Sequence, residues 1–250
     1  MSFLLFLFRI LGVMAWIVLG LLLVAMVYPF ASLSARNFMN HRCSRALLWI
    51  CGVKLRVVGE PVLSGPALWV ANHVSWIDIF VLSSVRCVAF IAKSEIRGWP
   101  VIGWLVSKAG TVFIQRGQRH AIKTVSDQMN VRFRQGEVLG LFPEGTTSGG
   151  LDVRPFHSSL FDPAIRAGVS IQPIALRFWH RGRRSDYVAF VGEQNLVQNL
   201  WVLLGTTQVV VEVFFLPLIS AEHCNELGRS KVAARAHHMI SHAVRSTQEP

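Results

Sequence analysis

Residues 10–30 form a run of 21 without a single charged side chain. As a helix rising ~1.5 Å per residue, such a run covers the ~30 Å hydrocarbon core of a bilayer. Arg9 precedes it, and Arg36, Arg42, Arg45, Lys54 and Arg56 follow it. The excess of positive charge on the carboxyl side predicts that this side is cytoplasmic. A cleaved signal peptide is the first competing reading, since Ser32-Leu-Ser-Ala35 has the small residues of a cleavage site. The apolar run is long for that, and the basic residues sit on the wrong flank for export. The second alternative is a helix that enters only one leaflet beside another helix over residues 35–51. That stretch mixes Arg36, Arg42 and Arg45 with Phe38, Met39, Leu47, Leu48 and Trp49, as an interfacial helix does. Spanning the bilayer and lying in its surface both remain open at this point.

Residues 1–50 are thus assigned to membrane-anchoring helices and residues 51–250 to one domain, which is enough chain for a single sizeable core. The formal charge of +11 calls for a partner of negative charge. A nucleic-acid binder concentrates its Lys and Arg in runs with interleaved aromatics. Here they are scattered, and the densest cluster is Arg181, Arg183 and Arg184, so nucleic acid is set aside for an anionic membrane surface and anionic ligands. Cys43, Cys51, Cys87 and Cys224 form no Cys-x-x-Cys pair. They are read as small buried hydrophobes, with no disulfide framework and no metal site.

Beyond residue 50, short apolar runs rich in β-branched residues alternate with helical patterns. Strands are predicted at 54–58, 67–71, 88–92, 111–114, 138–142, 171–176 and 209–215. Helices are predicted at 76–84, 101–108, 121–134, 159–167 and 231–244. In the third of these, Ile122, Val125, Met129 and Phe133 share a face and Gly136 ends the helix. The alternation predicts an α/β domain: a mixed central sheet flanked by helices, preceded by an N-terminal hydrophobic helix or helix pair.

Four segments carry chemistry. Asn72-His73-Val-Ser-Trp-Ile-Asp78 lies where a strand gives way to a helix, the place where open α/β sheets bind ligands. His73 would lie in the turn and Asp78 in the first helical turn, close enough to fold back and fix the imidazole tautomer. Ser75-x-x-Asp78 equally fits a capping box, in which Asp78 serves only the helix start. Gly110-Thr-Val-Phe-Ile-Gln-Arg116 is a strand that ends in a guanidinium suited to phosphate, and Lys93 ends another strand. Leu141-Phe-Pro-Glu144-Gly145-Thr146-Thr-Ser-Gly-Gly runs from a strand into a loop able to offer backbone amides to an anion. Val169-Ser-Ile-Gln-Pro173 opens a further strand with a proline.

In this order and spacing, His-x4-Asp, Phe-Ile-x-Arg, Phe-Pro-Glu-Gly-Thr and the Pro-containing strand resemble the glycerolipid acyltransferase family, which includes the 1-acylglycerol-3-phosphate acyltransferases. The resemblance covers roughly residues 70–176. It implies that residues 51–250 are an acyltransferase domain moving a fatty acyl group from acyl-CoA or acyl carrier protein to the sn-2 hydroxyl of a lysophospholipid acceptor. It implies His73 as general base and Asp78 as its orienting acid. Asn72, Lys93, Arg116, Glu144, Gly145 and Thr146 would line the substrate site, with Arg116 on the acceptor phosphate. No cofactor, metal or covalent acyl-enzyme is expected, and the chain has no Gly-x-Ser-x-Gly elbow. With the charge bias of the N-terminal segment, the resemblance places the enzyme at the inner (cytoplasmic) membrane, its catalytic domain facing the cytoplasm.

Other acceptors fit the same chemistry. Lyso-ornithine lipid lacks a phosphate, so Arg116 would distinguish it. Acyl exchange between phospholipids and a non-catalytic lipid-binding scaffold are further alternatives. His238 and His242, four residues apart, are read as a polar helix face rather than a metal site.

Overall fold

The computed structural model describes residues 2–114 and 119–246, with the side chains of 119–122 excepted. Helix α1 (Phe3–Leu22) runs on through a π-helical turn (Leu23–Val27) and a 3₁₀ turn (Tyr28–Phe30). It then folds back into α2 (Leu33–Cys51), whose N-cap Ser32 accepts a hydrogen bond from the Ala35 amide.

The domain that follows is built on one sheet. Its strands are β1 (Val53–Gly59), β2 (Ala67–Ala71), β3 (Val88–Lys93), β4 (Val112–Ile114), β5 (Val138–Leu141), β6 (Ile171–His180), β7 (Arg183–Arg184) and β8 (Val209–Phe215). Their spatial order is β1-β8-β6-β2-β5-β3-β4, with β7 paired to the end of β6. The block β6-β2-β5-β3-β4 is parallel throughout. Strand β8 runs antiparallel to β6 and parallel to β1, so the sheet is mixed, as the sequence predicts. All five residues of β2 are buried, as befits a central parallel strand covered on both faces.

One face is covered by α1, α2, α3 (Asp78–Ser83) and α7 (Leu196–Leu204). Val13, Leu47, Trp69, Phe178 and Leu203 belong to this core. The other face is covered by α5 (Arg119–Arg134), α6 (Asp162–Arg166) and α8 (Ala221–Arg245), with Met129, Phe161 and Ile240 buried beneath them. The short α4 (Ile102–Lys108) precedes β4. Helix α5 presents Val125, Met129 and Phe133 inward, as its periodicity predicts.

The sequence reading missed β7 and α7 and placed β6 and α8 too short, β6 running on to His180 rather than ending at 176. β7 is only two residues long, and α7 escaped notice although Asn195-x-x-Gln198 forms a complete capping box at its start. Helix α8 begins ten residues before the expected position, because two helices join across a break at Gly228. His238 and His242 are both exposed.

The N-terminal helix is held along its length. The Ser2 amide donates to Gly205 O at 3.0 Å. The Arg9 guanidinium donates to Leu204 O and Thr206 O, the Trp16 indole to Cys43 O, and the Tyr28 hydroxyl to Asn40. The outward side is apolar, with Leu4, Phe8, Met26 and Phe30 between 66% and 90% exposed. Phe3 and Phe6 meet Trp201 of α7, which extends this face. A contiguous apolar surface of this kind suits lipid rather than water.

Candidate active site

The motifs around His73 and Glu144 converge because of strand order. Strands β2 and β5 are neighbours, so the turn after Ala71 and the loop after Leu141 leave the sheet side by side at its carboxyl edge. Such edges are where α/β folds place their ligands.

The turn after β2 is over-determined. Asn72 is fully buried; its amide donates to Leu176 O and accepts from Leu176 N, extending the β2–β6 pairing by one side chain. Asn72 therefore fixes where the next residue emerges. Asp78, also fully buried, turns back from the start of α3. Its Oδ2 accepts three hydrogen bonds: from His73 Nδ1 at 2.8 Å, Val74 N at 2.7 Å and Ser75 N at 3.0 Å. The two roles anticipated for Asp78, helix-start acceptor and histidine partner, are thus performed by one oxygen. Its other oxygen, Oδ1, is buried with no hydrogen-bond partner among the described residues.

A carboxylate at Nδ1 requires the proton to sit on that nitrogen, leaving the lone pair on Nε2. The His73 side chain is 19% exposed, and Nε2 has no hydrogen-bond partner among the described residues. The imidazole also stacks on Phe142, with centroids 4.1 Å apart and planes 12° apart, and Phe142 stacks in turn on Phe90. Phe142 was not anticipated from the sequence. A side chain at the Gly140 Cβ position would come within 2.4 Å of the Phe90 ring, so the glycine in β5 makes room for the stack.

Glu144 is buried, and its two oxygens meet two backbone donors: His73 N to Oε1 at 2.7 Å and Arg154 N to Oε2 at 2.9 Å. It thereby joins the His73 turn to the far side of its own loop. Gly145 turns the chain with φ +73°, and Thr146 is exposed at the loop surface. Ser148 N donates to His73 O at 2.8 Å, a second tie between loop and turn. Lys93 is exposed at the end of β3, one strand beyond β5 along the same edge. Arg116 lies outside the described residues.

Glutamine at position 144 retains one carbonyl oxygen and faces the other backbone amide with an NH₂ group. Leaving a buried donor unpaired costs about 1–3 kcal/mol. Glu144→Gln is therefore expected to lower the melting temperature and to reduce kcat by up to about 10²-fold through misplacement of His73. Burial holds the Glu144 carboxyl above its ordinary range, partly offset by the donors from Arg154, His73 and Ser148. The folded chain thus keeps that proton at a pH where the unfolded chain has lost it. This contribution to stability is full below the ordinary carboxylate value and fades as pH rises through the raised one. Thermal unfolding of Glu144→Gln across mildly acid pH should lack that decline; an unchanged profile would assign the decline elsewhere.

The site has a further wall that the motifs do not reveal. Phe190 N donates to Val74 O at 2.9 Å, and Thr147 donates to Phe190 O. Behind them Asn199, fully buried on α7, donates to Ala189 O and accepts from the Trp76 indole at 2.9 Å. One amide thus ties α7 to the segment that carries His73 and Asp78. A polar residue within the apolar run Leu196-Val-Gln-Asn-Leu-Trp-Val-Leu-Leu was the available signal.

Known proteins are similar to this chain in sequence and in fold. The Acyltransferase family model matches residues 54–177, a span containing His73, Asp78, Phe142 and Glu144. The chain is 34% identical over 248 residues to a lyso-ornithine lipid O-acyltransferase of Pseudomonas aeruginosa, covering 97% of this chain and 93% of that protein. It is 37% identical over 190 residues to a 1-acyl-sn-glycerol-3-phosphate acyltransferase of Neisseria meningitidis, covering 75% and 74%. The crystal structure of the 1-acyl-sn-glycerophosphate (LPA) acyltransferase PlsC from Thermotoga maritima superposes with a TM-score of 0.74 over 100% of this chain and 98% of that one, at 19% identity, and so shares the fold. Similarity of this extent, over nearly the full length of the first relative, makes the chain a member of the glycerolipid acyltransferase family, an enzyme of acyl transfer.

Proposed function

We propose that the enzyme transfers a fatty acyl group from acyl-CoA or acyl carrier protein to the sn-2 hydroxyl of 1-acylglycerol-3-phosphate, giving phosphatidic acid. The observation that carries this reading is the His73–Asp78 pair at the carboxyl edge of the sheet, with the imidazole 19% exposed and no partner on Nε2 among the described residues. In the proposed step, Nε2 removes the acceptor hydroxyl proton as the oxygen attacks the thioester carbonyl. The imidazolium so formed is stabilised by the Asp78 carboxylate. The thiolate leaves with the proton that His73 returns. The chemistry proposed needs no cofactor or metal. Arg116 is proposed to bind the acceptor phosphate with help from Lys93, and Gly145 and Thr146 to border it.

The full-length similarity to a lyso-ornithine lipid O-acyltransferase favours a second acceptor of that kind. Purified protein would be given acyl-CoA, or acyl carrier protein bearing the same chain, with lysophosphatidic acid and with lyso-ornithine lipid in parallel. Phosphatidic acid from wild type, reduced at least tenfold in Arg116→Ala, is the outcome expected if a guanidinium–phosphate contact is lost. Product from lyso-ornithine lipid alone, indifferent to Arg116, would transfer the reading to that acceptor.

We further infer that the protein lies in one leaflet of the inner membrane, with the catalytic domain on the cytoplasmic side. A spanning helix leaves its domain at one end. Here the helix from Phe3 to Phe30 is hydrogen-bonded to the rest of the chain at both ends, through Ser2 and Tyr28, while only 11% of its most apolar window is buried. The basic residues of α2 would face anionic headgroups.

A further inference from the structure

Strand β6 outruns its neighbour. Ala71, the last residue of β2, pairs with Ile174, whereas β6 continues to His180. Six more residues at ~3.3 Å each carry the tip of the β6–β7 hairpin about 20 Å past the end of β2. The tip is Arg181-Gly182, between the paired residues His180 and Arg183. Both central residues have positive φ, +53° and +75°, as a type I′ turn requires. Glycine adopts this freely, and asparagine is the favoured side chain for the first position. Arginine there bears a steric cost that asparagine would largely avoid.

Arg181 and Arg183 are exposed, and neither forms an ion pair among the described residues. Alternation along β6 puts His180 on the same face as the buried Phe178, the face covered by α1 and α7. Arg183, paired with His180, shares that face. Arg184 falls on the opposite one, against Trp179. The tip is also tied to the start of α1. Arg181 N donates to Gln208 O at 3.1 Å, and His180 Nε2 lies 3.1 Å from Thr206 Oγ1. Thr206 O in turn receives the Arg9 guanidinium. The cationic tip therefore stands beside the apolar end of α1, where Phe3, Leu4 and Phe8 are exposed.

We propose that Arg181 and Arg183 form a contact for anionic phospholipid headgroups of the leaflet that α1 and α7 enter, setting the tilt of the catalytic edge against the bilayer. This rests on the single-leaflet reading above. The apolar face supplies insertion, and the paired arginines supply a charge-selective contact at its margin. Strain retained at Arg181 fits a residue kept for its charge rather than for the turn.

The test is flotation of the full-length protein with vesicles of phosphatidylcholine, and of phosphatidylcholine mixed in equal parts with phosphatidylglycerol. Wild type is expected to bind both, the anionic vesicles more tightly and with salt sensitivity. Arg181→Asn with Arg183→Gln should lose about 30-fold in affinity for the anionic vesicles, from ~1 kcal/mol per basic residue at such a surface. Binding to neutral vesicles and kcat on detergent-dispersed acceptor should stay as in wild type. Arg181→Asn alone should melt at the same temperature or higher, which separates loss of charge from loss of fold. An undiminished anionic preference in the double variant overturns the inference and leaves the single-leaflet reading intact. So does a loss confined to reactions with acyl carrier protein as donor, which would assign the tip to an acidic protein. Wild type that floats with neither vesicle sinks the membrane reading and this inference together.

Discussion

Replacing His73 by alanine is expected to lower kcat by at least about 10²–10⁴-fold, the usual worth of a positioned general base. The fold should survive, because Asp78 keeps its bonds from Val74 and Ser75, and Glu144 keeps its bond from the residue 73 amide. Every backbone tie that shapes the turn is independent of the imidazole. The loss should therefore appear in kcat, with the KM for acceptor changed only slightly. Single-turnover assays with labelled acyl donor, alongside thermal unfolding, would check this. Equal turnover by the variant would remove His73 from the proposed role.

Asp78→Asn isolates charge from geometry more cleanly than most such substitutions. Since Oδ2 alone receives three donors while Oδ1 receives none among the described residues, an asparagine can set its carbonyl at the Oδ2 position and its NH₂ at the other. The imidazole tautomer and the turn are then preserved, and only the negative charge is gone. The effect expected on kcat is bracketed by two estimates. Losing the charged character of one hydrogen bond costs about 1–2 kcal/mol, or roughly tenfold. Losing an ion pair at ~4 Å with an effective dielectric of about 20 costs ~4 kcal/mol, or roughly 10³-fold. Asp78→Ala removes the acceptor of two backbone amides as well and should lower the melting temperature by several degrees more than Asp78→Asn. Wild-type turnover in Asp78→Asn would show that the charge contributes nothing, and equal stability of the Asn and Ala variants would show that the carboxylate braces nothing.

Local chemistry was legible in the chain. A short apolar run ending at Ala71, followed by His73 and an apolar helix opening at Asp78, is a statement about neighbours in sequence, and it places the Nδ1 and Oδ2 atoms within reach of each other. What joins distant segments was not legible. The Glu144–His73 bond spans 71 residues and exists because β5 inserts between β2 and β3, an order that no single strand encodes. From its loop alone, Glu144 looked like a group that meets substrate; in the fold its oxygens face the backbone of residues 73 and 154. Phe142 and Phe90 read as ordinary sheet residues until their strands are set side by side. Asn199 reaches Trp76 across 123 residues, and α7 itself is short enough for its apolar run to pass as a strand.

The Arg9 guanidinium has a bearing on how the molecule is made. Its carbonyl partners lie 195 and 197 residues later in the chain. At a synthesis rate of about 5–20 residues per second, roughly 10–40 s pass between the emergence of α1 and that of the groups that accept from it. Throughout that interval the apolar helix is already finished, while the carbonyls of Leu204 and Thr206 that hold Arg9 have yet to emerge. The nascent chain is therefore expected to meet the bilayer before it has an active site, and to complete its sheet with the lipid already in place.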